Sequence, residues 1–135
     1  MAKINVLQFI CPTGVYGAEQ WILTLINNLD PDEVRSEIAI THESPSHLGV
    51  IEQFRKTGQI INVLEMRSRF SLSVLQNLCR LIREREIDII HTHGYKSDIL
   101  GLMAAKKTGI KTISTPMDSE CQSILDSNYI FYSGR

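Results

Sequence analysis

At 135 residues the chain has room for one ordinary domain of roughly 100–150 residues and is short for an enzyme that closes a cleft between two domains. With 14 Lys+Arg against 15 Asp+Glu the formal net charge is −1, which excludes a broad basic field for nucleic acid as well as an acidic tail. No apolar run is long enough to cross a membrane, and Met1 to Phe9 lacks the charged-then-apolar layout of a signal peptide, so the cytoplasm is the expected compartment.

The chain opens with an apolar stretch, Ile4–Ile10, that reads as a strand and breaks into the loop "CPTGVYG", with glycines at 14 and 17. Beyond it Ala18, Trp21, Ile22, Leu25, Ile26 and Leu29 recur at helical spacing, predicting one apolar stripe turned toward a sheet and stopped by Asp30-Pro31. A second strand over Glu37–Thr41 leads into "THESPSHLG", where His42 and His47 are expected to face solvent or make transient contacts. A weaker helix over Leu48–Lys56 is closed by Gly58, and a third strand is expected over Ile60–Met66. The third helix is clearer, with Leu75, Leu78, Cys79 and Ile82 on one face. A fourth strand over Asp88–Thr92 precedes a helix with Ser97 as its N-cap and Ile99, Leu102 and Met103 inward, ending at Lys106-Lys107 and Gly109. The fifth strand is Lys111–Thr115.

Strands apolar on both faces, alternating with helices, call for a parallel sheet covered on two sides, a three-layer Rossmann-like α/β layout. After Pro116 the rhythm stops: residues 117–135 hold an apolar pair at Ile124-Leu125 and aromatics from Tyr129 to Tyr132, without a further βα unit. Cys11, Cys79 and Cys121 are odd in number, far apart and without a C-x-x-C pair, which suits reduced core thiols better than a disulfide framework or a zinc site.

In such a sheet the ligand crevice lies at the carboxyl ends of the strands, so the chemistry belongs in the loops that follow them. Gly14 and Gly17 stand before a helix whose first N–H groups attract anions, although glycines at such turns also serve plain geometry. A dinucleotide site would want G-x-G-x-x-G here with an acid near the end of the second strand. Glu43 sits there, but the third glycine is missing and Tyr16 crowds the pyrophosphate position, which ranks an NAD-dependent enzyme low. In "DIIHTHGYKSD" His91 and His93 share one side of the fourth strand by period-two spacing. The expected division is a structural His91 beneath the loop and an exposed, functional His93, with Tyr95 and Lys96 beside Gly94 available to a hydroxylated or anionic group. A zinc site lacks a third ligand in the sequence, so no metal is expected, and neither G-x-S-x-G nor a P-loop is present.

Taken together, "TGVYGAEQWILTLINNL" and "DIIHTHG" with the small-residue helix after it resemble the amino-terminal domain of retaining GT-B glycosyltransferases of family 4, over about residues 3 to 116. The resemblance implies transfer of a sugar from a nucleotide-diphosphate donor, which is a substrate, with no cofactor or bound metal. It places Gly14 and Gly17 near the donor diphosphate, Glu19 as a positioning acid at the helix start, and His93, Gly94, Tyr95 and Lys96 on the acceptor side. The acceptor, a sugar or a lipid, stays open, and a lipid would bring the enzyme to a membrane surface as a peripheral protein. Tyr16 stands where members carry the first glycine of a pair. Pro116 is followed by Met117 and Asp118 where members tend to carry a histidine, facing the reacting sugar, and a glycine.

The expectation is a parallel sheet in the order 3-2-1-4-5 over residues 1–116, a divergent tail over 117–135, and a continuation lost after Pro116 together with the donor-binding domain. Such a piece should be inactive alone and prone to self-association through its uncovered interdomain surface. The alternative of another class is a stand-alone domain that binds a phosphate-bearing ligand without chemistry.

Overall fold

The computed structural model describes residues 3–11, 17–42, 48–56, 58–65 and 72–115. They form β1 (Ile4–Ile10), α1 (Gly17–Asn28), β2 (Val34–His42), α2 (Leu48–Lys56), β3 (Ile61–Glu65), α3 (Leu72–Glu84), β4 (Ile89–His93), α4 (Tyr95–Thr108) and β5 (Lys111–Thr115). The sheet is parallel throughout, in the order β3-β2-β1-β4-β5, as the sequence predicts. The expected fourth strand shifts by one residue, so that His93 is its last member, and the second lengthens to include Val34–Ser36.

Alternation along the strands divides the core into two layers. Leu7 and Phe9 of β1, Cys11 just after it and Ile90 of β4 pack with Val74, Leu75, Leu78, Cys79 and Ile82 of α3 and with Leu100, Ala104 and Ala105 of α4. On the other face Ile10, Ile38 and Ile40 meet Ile22 of α1 and Ile51 and Phe54 of α2. Each fully buried aliphatic or Phe side chain contributes about 1.5–3 kcal/mol. Cys11 and Cys79 are buried in the first of these layers, in line with core thiols, whereas Cys121 lies outside the described residues.

Two predicted helix faces are corrected. Trp21 is 41 % exposed, because α1 packs beside α2 and turns Ile22, Leu23 and Ile26 inward, leaving Trp21 on the flank. In α4 the inward residues are Ser97, Leu100, Gly101, Ala104 and Ala105, while Leu102 and Met103 are 37 % and 43 % exposed. The face that packs is the one with small side chains, which allow α4 to lie close on β4. The predicted Ser97 N-cap is also displaced: α4 begins at Tyr95 with Gly94 as N-cap, and is closed by the C-cap Gly109, whose N–H donates to the Ala105 carbonyl at 2.8 Å.

At the base of the sheet, away from the crevice, Glu37 is buried on β2 and accepts hydrogen bonds from Arg85 Nε at 2.9 and 3.1 Å. Arg35 Nη2 shares one of these oxygens, lying 3.1 Å from Oε2. Removing one partner of a buried ion pair leaves a desolvated charge. Arg85→Met is therefore expected to cost about 2–4 kcal/mol, and Arg35→Met, at a more exposed guanidinium, less than half of that. Urea denaturation of the two variants checks the order, and equal losses would refute it.

Candidate functional site

The strand order reverses at β1, whose neighbours β2 and β4 are reached by connections running to opposite faces of the sheet. Ligands of open α/β sheets lie at the carboxyl ends of the strands on either side of such a reversal, here β1 and β4. Parallel register sets Gln8 beside His91 and Ile10 beside His93, so the last two turns of pleat at this edge carry three polar side chains on one face.

Those side chains are bonded to each other. His93 Nε2 lies 2.7 Å from Gln8 Oε1, and His91 Nε2 lies 2.6 Å from Thr115 Oγ1 on β5. The two imidazoles face each other with centroids 4.2 Å apart and planes inclined by 33°, so the period-two expectation of a shared side holds. The expected exposure of His93 does not: it is 2 % exposed, more deeply buried than His91. A strand-end histidine reads as exposed only if its neighbour strand is not known, and Gln8 supplies the partner that lets it stay inside. Burial pushes the His91 imidazole down to about 4. His93 is pushed down to about 3, by burial first and by the neighbouring His91 second. Both rings are therefore neutral at physiological pH, and among the described residues His93 Nδ1 has no hydrogen-bond partner.

The turn from β4 into α4 is held by Ser97, whose hydroxyl accepts the His93 N–H at 3.1 Å and donates to the Gly94 carbonyl at 2.9 Å. Gly94 has φ 103° and ψ 168°, a backbone conformation closed to side-chain-bearing residues. Space is not the reason for glycine there, since an added Cβ would meet nothing nearer than Ser97 Oγ at 4.0 Å. Gly94→Ala is expected to cost about 1–2 kcal/mol through the backbone alone; a melting temperature equal to wild type would disprove the strain.

Beneath the turn, on the opposite face of the sheet, Asp98 Oδ1 accepts the hydroxyls of Thr92 at 2.6 Å and Ser114 at 2.7 Å. Burial raises the Asp98 carboxyl, and the two hydroxyl bonds hold the rise back. This cluster ties the first turn of α4 to β4 and β5, and so fixes where Gly94 and the α4 N-terminus point.

Of the residues expected on the acceptor side, the structure brings His93, Gly94 and Lys96 together at the β4–α4 turn, with Lys96 half-buried, and Tyr95 opens the helix. Gly17 opens α1 and Glu19 falls in its first turn, while Gly14, Tyr16, Glu43, His47, Met117 and Asp118 lie outside the described residues. His42, expected to face solvent or make transient contacts, is half-buried at the end of β2 with Nδ1 3.5 Å from Glu65 Oε1. The sequence reading missed Gln8, Thr115 and the Asp98 cluster. Gln8 carried one signal, a long polar side chain in the middle of a strand buried on both faces. Among the described residues no group of three His, Cys, Asp or Glu could hold a metal ion, and no helix is long and apolar enough to cross a membrane.

Known structures share this fold. A putative UDP-N-acetylglucosamine 2-epimerase from Listeria monocytogenes superposes with a TM-score of 0.67 at 18% identity, over 85% of this chain and 32% of its own. MurG from Acinetobacter baumannii gives 0.67 at 14% identity, over 82% and 34%. A glycosyltransferase from Rickettsia africae gives 0.57 at 15% identity, over 94% and 34%. At such identities the likeness is one of fold, and the chain spans about a third of the length of these structures. No curated protein sequence matches significantly. The family model of Glycosyltransferase Family 4 matches residues 15–120, most of the chain, from within the first glycine loop to just past the fifth strand. The chain thus belongs to glycosyltransferase family 4.

Proposed function

We propose that this chain is the acceptor-side half of a retaining glycosyltransferase, which moves a sugar from a nucleotide-diphosphate donor to an acceptor hydroxyl once a second, donor-binding domain is supplied. The observation that carries the reading is the placement of His93 and Gly94 at the β1–β4 reversal of a family 4 domain. In it, Gly14, Gly17 and Glu19 serve the donor diphosphate from the start of α1, and His93, Gly94, Tyr95 and Lys96 receive the acceptor. A nucleotide-sugar donor is supported by a structural neighbour whose name is that of an enzyme of UDP-N-acetylglucosamine. The reading uses no bound metal, because helix N-termini and basic groups of the second domain offset the charge of the departing diphosphate. In this reading the 135 residues form one wall of the cleft and are expected not to turn over by themselves.

Mixing the purified chain with a separately expressed carboxyl-terminal family 4 domain, and following label from UDP- and GDP-sugars into sugar and lipid acceptors, tests the proposal. Transfer is expected only in the mixture and is expected to fall at least tenfold, about 1.4 kcal/mol of transition-state stabilisation, in His93→Ala. Transfer that is indifferent to His93, or equal in the chain alone, would overturn it.

A further inference from the structure

The Gln8–His93 pair says what kind of group the site takes. Gln8 is 1 % exposed and His93 2 %, and the 2.7 Å contact between Oε1 and Nε2 makes Nε2 the protonated nitrogen, since an amide oxygen can only accept. A neutral imidazole protonated at Nε2 carries a bare lone pair at Nδ1. That atom is buried without a partner among the described residues, at the carboxyl end of β4 and beside the carboxyl end of β1. A buried acceptor left unsatisfied is costly and calls for a partner. His91 does not complete it: its Nε2 is engaged by Thr115, and its ring lies 4.2 Å from that of His93 with the planes inclined by 33°.

We propose that Gln8 is a positioning residue that locks His93 in the Nε2–H tautomer, and that the bare Nδ1 takes a hydrogen bond from a neutral hydroxyl of a carbohydrate ligand. The group it receives must be a donor, so a neutral sugar hydroxyl fits, while an ionised phosphate or carboxylate, which presents chiefly acceptor oxygens, is disfavoured. A second proton on His93 would be needed to hold an anion, and the stacked His91 and the burial of both rings oppose it. The inference rests on the acceptor-side reading above and refines it: the anionic alternative for this corner of the site is removed, and any anion is left to the α1 loop.

The test reads nitrogen chemical shifts of the imidazoles in the intact 135-residue chain, without turnover, so its failure is separable from failure of the transferase reading. Wild type is expected to show His93 as a single Nε2–H tautomer, with methyl glucoside shifting the Nδ1 resonance and inorganic phosphate leaving it in place. Gln8→Leu is expected to give a tautomer mixture and to lose the glucoside-induced shift. Should that variant fail to fold, Gln8→Glu keeps the shape and places a carboxylate on Nε2, and His93 is expected to titrate more than one unit higher. An Nδ1–H tautomer in wild type, a glucoside shift that survives Gln8→Leu, an unchanged titration in Gln8→Glu, a phosphate shift at His93, or no response to glucoside would each overturn the proposal.

Discussion

Acidification from pH 6.5 to about 4 is expected to remove several kcal/mol of stability from the domain, because the folded state refuses protons that the unfolded chain accepts. Burial holds His91 at about 4 and His93 at about 3, while both rings in the unfolded chain titrate near 6.5. Between these values the unfolded chain binds more protons, so stability falls as pH falls, by up to about 1.4 kcal/mol per pH unit for each ring. Asp98 works in the opposite sense: its raised carboxyl is protonated earlier in the folded state, so acid favours folding where that group takes up its proton. Two imidazoles against one carboxyl leave a net loss. Against a usual margin of about 5–15 kcal/mol, that loss brings the acid unfolding transition close to the histidine range.

The slope distinguishes this cause from general acid sensitivity. Urea midpoints measured across the window should fall more steeply in wild type than in His91→Asn or His93→Gln, by about one proton for each ring removed. The comparison is of slopes, so it survives whatever constant destabilisation either substitution brings. Parallel lines for wild type and both variants would show that the histidines are not the groups taking up protons on unfolding.

Much of the scaffold was legible because its signals are local. The 3.6-residue spacing of Leu75, Leu78, Cys79 and Ile82 identified the face of α3 that the sheet buries, and Lys111–Thr115 coincides with β5 to the residue. Period-two spacing likewise placed the rings of His91 and His93 on one side. What failed depended on partners distant in sequence. Gln8 and His93 are 85 positions apart, and no local pattern says that a strand-end imidazole will find a buried amide oxygen across a parallel pair. The wrong face of α4 has another cause. Hydrophobic pattern weighs Leu102 and Met103 heavily and Gly101, Ala104 and Ala105 hardly at all, yet the helix presents its small side because only that side fits at the distance β4 imposes. The donor-side loop stays a sequence argument, since Gly14 lies outside the described residues.

Closeness of α4 to β4 predicts the second large effect, the loss on Gly101→Ala. In the middle of a helix this exchange alone should stabilise by about 1 kcal/mol. Here the new Cβ would sit well inside contact distance of Thr92 Cγ2, with Ile90 Cδ1 and Thr92 Cβ both at 3.6 Å, so the space is closed by one methyl group. Thr92 cannot turn it away cheaply, because its hydroxyl is committed to Asp98 at 2.6 Å. Overpacking of this kind costs about 1–3 kcal/mol and should exceed the helix gain. Thr92→Ser removes the methyl and keeps the hydroxyl, at a loss of about 1 kcal/mol for one buried carbon. The double variant should then be more stable than Gly101→Ala alone, a favourable coupling of about 1–3 kcal/mol in a double-mutant cycle. Additive losses would place the clash elsewhere, and a stabilised Gly101→Ala would mean that α4 does not lie so close. The consequence reaches the site: Asp98 and Ser97 hold the β4–α4 turn from the same helix, so lifting α4 off Thr92 loosens the bonds that set Gly94 and the His93 N–H. Gly101→Ala should therefore disturb the imidazole resonances of His93 without touching the ring, and Thr92→Ser should restore them.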